Sequence, residues 1–119
     1  MKKIGYILMT ILLISGVIAL ANKSHSKLTT ILFCFVGNPH IQAEVQDPSK
    51  WIECSSHDCD GVDEQACAIE VDESWTENGP GGRRLKPNFS IITAYNSGCN
   101  TYYVVGGDMI AIINTSCRN

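Results

Sequence analysis

At 119 residues the chain is long enough for one domain at most. Nine Lys and Arg stand against twelve Asp and Glu, a formal net charge of −3, which argues against a basic face for nucleic acid or for anionic lipid. Six cysteines in so short a chain point to a framework held by covalent staples as much as by a core.

The chain opens on Met1-Lys2-Lys3, followed by the uncharged run Ile4 to Ala21, which closes on Ala19-Leu20-Ala21. A basic start, an apolar middle and a small-residue exit describe a secretory signal helix over residues 1–21. The same run is just long enough to cross a bilayer. The alternative reading is therefore an uncleaved anchor, and only that reading gives the protein a membrane contact. In both readings Lys2 and Lys3 stay on the cytoplasmic side, and everything from Asn22 onward is exported to a periplasm, a cell surface or the medium. Cys34 follows Phe33 and lies far from the apolar run, which argues against a lipoprotein.

Removing residues 1–21 leaves seven basic residues against the same twelve acidic ones, and composition divides what remains. Residues 22–44 carry one apolar strand, Thr29 to Val36, stopped by Gly37-Asn38-Pro39. Residues 45–78 form an acidic, cysteine-rich segment, and eleven of the twelve carboxylates fall between Glu44 and Glu77. Residues 79–87, "GPGGRRLKP", read as a loop because Gly and Pro punctuate secondary structure. Residues 72–87 as a whole are expected to be exposed loop, and both charge blocks are read as solvated surface.

Residues 88–119 read as an antiparallel β segment. Strand signals fall at Phe89 to Tyr95, Thr101 to Val105 and Met109 to Ile113, with an earlier one at Cys67 to Val71. Gly106-Gly107-Asp108 has the composition of a tight turn, so the last two strands are expected to pair as a hairpin. After residue 22 no sustained apolar period of 3.6 residues is present. The fold expected is a small β-rich, disulfide-stapled domain with a C-terminal antiparallel hairpin behind a signal helix.

An even cysteine count in an exported chain implies a disulfide framework, with fifteen pairings open. Cys99 and Cys117 are nearly equidistant from the Gly106-to-Asp108 turn, which favours that pair. Cys59 with Cys67 closes a tight acidic turn, and Cys34 with Cys54 remains. The hairpin argument makes the Cys99 staple weigh more than the one at Cys34.

The stretch "ECSSHDCDGVDEQAC", Glu53 to Cys67, could also hold metal. Zinc would draw on Cys54, Cys59, Cys67 and His57, but the spacing lacks the paired knuckles of structural zinc sites. Calcium would draw on Asp58, Asp60 and Glu64 around Gly61. Aligned on that glycine, an EF-hand-type loop has Ser56 at position one and Cys67 at position twelve, where carboxylates belong. The reading carried forward is a stapled acidic turn with no metal and no cofactor.

Catalytic patterns are missing as well. His25, His40 and His57 belong to no nucleophile motif, and Gly79, Gly81 and Gly82 precede no phosphate-binding helix. The protein is accordingly read as not an enzyme. Asn88 and Asn114 match the glycosylation acceptor pattern, which matters only in a eukaryotic secretory pathway.

The order of signal segment, "VQDPSKW" (Val45 to Trp51) and "CDGVDEQACAIEV" (Cys59 to Val71) resembles a family of small exported proteins of unknown function from Bacteroidota. The resemblance covers residues 1 to about 75 and lies in the short signal, the Pro-x-x-Trp-like segment and the late cysteine pair. It implies an exported bacterial protein and carries no site residues. The functional expectation is a non-catalytic structural or interaction module, with a protein partner at the cell envelope. The alternative is a small secreted effector, a toxin-like peptide or enzyme inhibitor, matured by cleavage at Gly81-Gly82-Arg83-Arg84.

Overall fold

The computed structural model describes residues 29–117. The signal segment, whether cleaved or retained as an anchor, lies outside the described residues, as does His25. Among the described residues no helix is long and apolar enough to cross a membrane.

The apolar run after Thr29 becomes β1 (Thr30–Phe35), the strand on which the sheet is built. Its β-branched and aromatic residues suit a half-buried pleat. One side pairs with β2 (Trp51–Glu53) and the other with β3 (Gln65–Asp72), both antiparallel. The register sets Phe33 opposite Ile69 and Phe35 opposite Trp51, so alternate residues converge on one face. Beyond β2 come β5 (Gly82–Leu85) and β4 (Thr76–Gly79); beyond β3 comes β8 (Ala111–Thr115). The order of this six-stranded sheet is β4-β5-β2-β1-β3-β8.

A second layer, the ribbon of β6 (Ile91–Asn96) and β7 (Thr101–Gly107), packs with β7 against β3. Phe33, Trp51, Ile69 and Val71 from the sheet meet Ile91 and Val104 from the ribbon, all buried. Each such side chain contributes about 1.5–3 kcal/mol when taken fully out of water. The single helical turn α1 (Gln42–Val45) inserts Val45 at the edge of this core. The Trp51 indole N–H donates to the Val45 carbonyl at 2.9 Å, which leaves no polar atom of that ring unpaired.

The small β-rich, disulfide-stapled domain with a C-terminal antiparallel hairpin is present, but the strands of the hairpin differ from the expectation. β7 pairs with β6, not with β8, and the turn between them spans Ser97 to Asn100. Gly106 and Gly107 end β7, and Asp108 begins a crossing from the ribbon to the sheet. Asp108 N–H donates to the Ser90 carbonyl, and Ile110 N–H then joins Glu70 of β3. Gly107 has φ +132°, and a Cβ there would collide with the Ser90 backbone, so glycine is required by the crossing itself. β8 goes to β3 because its apolar residues find their partners there, Ile112 opposite Ile69 and Ile113 opposite Ala68.

Residues 72–87 are likewise structured. Asp72 caps a 3₁₀ turn, Glu73–Trp75, by accepting the Ser74 N–H, and β4 and β5 follow as a hairpin. The Gly/Pro cluster supplies only the tip of this hairpin at Pro80 and Gly81. Thr76 and Leu85 are buried at its base. The basic block stays at the surface, with Arg84 59% exposed, but it is ordered there. Arg84 and Glu77 are directly opposed and bonded at 2.9 Å, an opposite-charge cross-strand pair.

Candidate functional site

Three disulfides brace the fold: Cys34–Cys54 and Cys59–Cys67 on the sheet side, and Cys99–Cys117 between the ribbon turn and the chain after β8, with Cα–Cα separations of 5.9, 6.0 and 6.4 Å. The acidic segment between Cys54 and Cys67 is laid against the end of β8. Gly61 N–H donates to the Asn114 carbonyl at 2.9 Å. The Asp60 carboxylate receives the Ser116 N–H at 2.9 Å, the Ser116 hydroxyl at 2.5 Å and the Val62 N–H at 2.9 Å. Glu64 receives the Cys117 N–H at 2.9 Å, and Asp63 receives the Asn114 amide at 2.8 Å.

This placement decides what the segment can do. Asp58, Asp60 and Glu64 do not converge: Asp60 faces Ser116, Glu64 faces Cys117, and Asp58 is exposed. Asp60 and Glu64 accept from the chain's own backbone and from the Ser116 hydroxyl, which makes the turn a fastener of the β8 end. Among the described residues one group of three candidate ligands, Glu64, Cys99 and Cys117, brings its donor atoms within 4.8 Å, and its two sulfurs are bonded to each other. The cysteines considered for zinc are all in disulfides, and His57 Nδ1 accepts the Cys59 N–H at 3.0 Å. His40 Nδ1 lies 2.7 Å from the Asn100 carbonyl oxygen, and so bridges the α1 region to the β6–β7 turn.

Hydrogen bonds from the Ser116 hydroxyl first, and from the Val62 N–H next, hold Asp60 down to about 2 from an ordinary 3.8. A carboxyl depressed on folding contributes stability that is full above 3.8 and is lost as the pH falls toward 2. Acid should therefore release the acidic turn from β8 over that window. A carboxyl-carbon NMR titration of Asp60, run alongside hydrogen exchange at Ser116, should show one midpoint near 2 and loss of Ser116 protection with it. An Asp60 midpoint near the free-acid value would break the link.

A concave feature of the surface lies elsewhere, between the 3₁₀ turn Pro48–Lys50, β2 and the β4–β5 hairpin. It is a groove of about 600 Å³. Pro48, Trp51, Ile52, Pro80, Leu85 and Pro87 are its apolar lining. Its charged members are each bonded within the chain. Asp47 caps the 3₁₀ turn by accepting from the Ser49 N–H at 3.0 Å and the Ser49 hydroxyl at 2.9 Å. Glu53 accepts the Arg83 N–H at 2.8 Å, and the Arg83 guanidinium donates to the Thr76 hydroxyl at 2.7 Å and the Asn78 side chain at 2.8 Å. Ile52, half exposed at the mouth, is the apolar group left open to a ligand.

No His, Cys, Lys or Tyr lines the groove. The Ser49 hydroxyl is bonded to Asp47 with no base between them, which is a cap and not a nucleophile. Sequence reasoning placed none of these groove residues, because β2 is three residues long and each hairpin strand four. The one available signal was charge order, Glu77 and Arg84 placed symmetrically about Asn78-to-Arg83. Of the two glycosylation-type asparagines, Asn88 is exposed and Asn114 is buried at 1%. Comparison of the chain with protein-family models, with curated proteins and with solved structures gives no match.

Proposed function

We propose that the protein is an exported, non-catalytic interaction module that holds a short apolar segment of a protein partner at the cell envelope. The observation that carries this reading is the groove at Ile52: apolar walls, about 600 Å³, and charges already satisfied within the protein. Pockets of that size with a few fixed polar groups are the usual form of a binding site. The disulfides support export, since such bonds persist in oxidising compartments. The resemblance of its short motifs to a family of exported Bacteroidota proteins fits the same reading.

The effector alternative is weaker on the position of its cleavage site. Arg83 and Arg84 lie within β5, paired to β4 and anchored through Glu53, Thr76 and Glu77. A protease needs an extended, accessible segment, and this one is held in a sheet.

NMR titration with a panel of short uncharged peptides rich in proline and leucine tests the binding reading. Shifts should cluster at Ile52, Gly81 and Leu85, and Ile52→Asp should abolish them without lowering the melting temperature, because Ile52 is 50% exposed. Binding that maps to another face, or none at all, would refute the groove as the site.

A further inference from the structure

Four strand edges face outward in this fold, and on three of them backbone groups are bonded to other parts of the chain. On β8, Gly61 N–H takes the Asn114 carbonyl, and Asp60 clamps Ser116. On β4, the Thr76 N–H goes to the Glu73 carbonyl, and its own carbonyl accepts from Arg83 at 3.0 Å. On β7, Tyr102 N–H donates to the Pro39 carbonyl at 2.8 Å, and the Asn114 side chain takes both the N–H and the C=O of Val104.

The fourth edge is β6. Tyr102 and Val104 turn these groups away from β6, so they form the non-hydrogen-bonded positions of the ribbon. Thr93 and Tyr95 stand opposite them, and their own N–H and C=O groups therefore point outward. No backbone hydrogen bond among the described residues reaches those four groups. The strand "IITAYN" also lacks what proteins place on an open edge: it holds no charge, no proline and no lysine, and it is six residues long.

We propose that β6 pairs antiparallel with β6 of a second copy of this chain, about a two-fold axis at Ala94. Thr93 of each copy then exchanges both backbone hydrogen bonds with Tyr95 of the other, and the two ribbons become one four-stranded sheet. Ala94 faces its own counterpart at a non-hydrogen-bonded position, where Cα atoms approach to about 4.5 Å and a small side chain fits. A second copy suits this edge better than a charged peptide, because the strand is neutral within an acidic chain and its outward groups are self-complementary in register. The interface is one strand per copy and falls at the small end of specific contacts, below about 1,200 Å². The dimer is therefore a concentration-dependent equilibrium. Each exported copy carries seven basic against twelve acidic residues, so the copies repel and salt strengthens the dimer. This proposal is independent of the groove.

Sedimentation of the exported chain over an about hundredfold dilution series, with hydrogen exchange at each end, provides the test. A monomer–dimer equilibrium is expected, with Thr93 and Tyr95 amides protected only in the concentrated sample. Ala94→Lys sets like charges face to face and should weaken association by at least about tenfold, while its melting at high dilution matches the wild type. If that variant fails to fold, Ala94→Cys gives a second reading, since oxidised glutathione should link it into a covalent dimer through residue 94. Four results overturn the proposal: a monomer throughout with unprotected amides, protection independent of concentration (the edge is then covered within one chain by residues before 29), a dimer that Ala94→Lys leaves intact, or failure of Ala94→Cys to cross-link at concentrations where the wild type dimerises.

Discussion

Replacing both Cys99 and Cys117 with serine is expected to lower the melting temperature by about 12–24 °C. The bond spans 18 positions, for which loop closure alone is worth about 3 kcal/mol. In a domain of about 100 residues each kcal/mol moves the midpoint by about 4–8 °C. The bond joins the β6–β7 turn to the chain after β8, and so ties the ribbon to the sheet at the end where Glu64 and Asn96 also meet Cys117. Cys34–Cys54 spans 20 positions and constrains the unfolded chain by a similar amount, so the lesser weight expected for it has to come from its native contacts. The two losses should differ through the native contacts that go with them. Calorimetry of both double variants measures this, and equal losses would show that loop entropy alone is at work.

Asn114→Ala should be nearly as severe. This side chain is 1% exposed and stands in for a stretch of β ladder. Its amide oxygen accepts the Val104 N–H at 3.0 Å, and its nitrogen donates to the Val104 carbonyl at 3.0 Å and to Asp63 at 2.8 Å. Truncation strands two buried backbone groups, each worth about 1–3 kcal/mol, for a total loss of about 2–6 kcal/mol. Against a total stability of about 5–15 kcal/mol, that brings the protein close to unfolding in warm solution. Asn114→Asp keeps the shape but sets a carboxylate against the Val104 carbonyl and Asp63. Both neighbours raise the acid's pKa in the folded state, so its deficit should be largest at neutral pH and shrink as the pH falls. Urea unfolding at two pH values distinguishes the variants, and a deficit independent of pH would mean that Asp63 does not face the site.

Asn114 also explains why the cysteine pairing was legible while the strand pairing was not. From sequence, Cys99 and Cys117 sit symmetrically about Gly106-to-Asp108, which suggests a β7–β8 hairpin. β8 does run beside β7, but the contact between them passes through one asparagine side chain, while the backbone of β8 pairs with β3. The distance argument therefore holds where the hydrogen-bond argument fails. Long apolar strands such as β1 and β3 announce themselves by pattern. The groove does not, because its walls come from a three-residue strand and a polar hairpin whose pairing rests on Arg83 and Arg84. The acidic turn was read as a stapled turn from its cysteines, but its attachment to β8 depends on Ser116 and Cys117, more than 50 positions away.

Non-reducing peptide mapping with intact-mass analysis, on protein recovered from its native source, tests the central claim most directly. The account of an exported, stapled module predicts a chain beginning at Asn22, no free thiol, and the linkages Cys34–Cys54, Cys59–Cys67 and Cys99–Cys117. Free thiols, or Cys99 joined to Cys54, Cys59 or Cys67, would contradict it, while a chain that still begins at Met1 on membrane-bound material would replace the cleaved signal by an anchor.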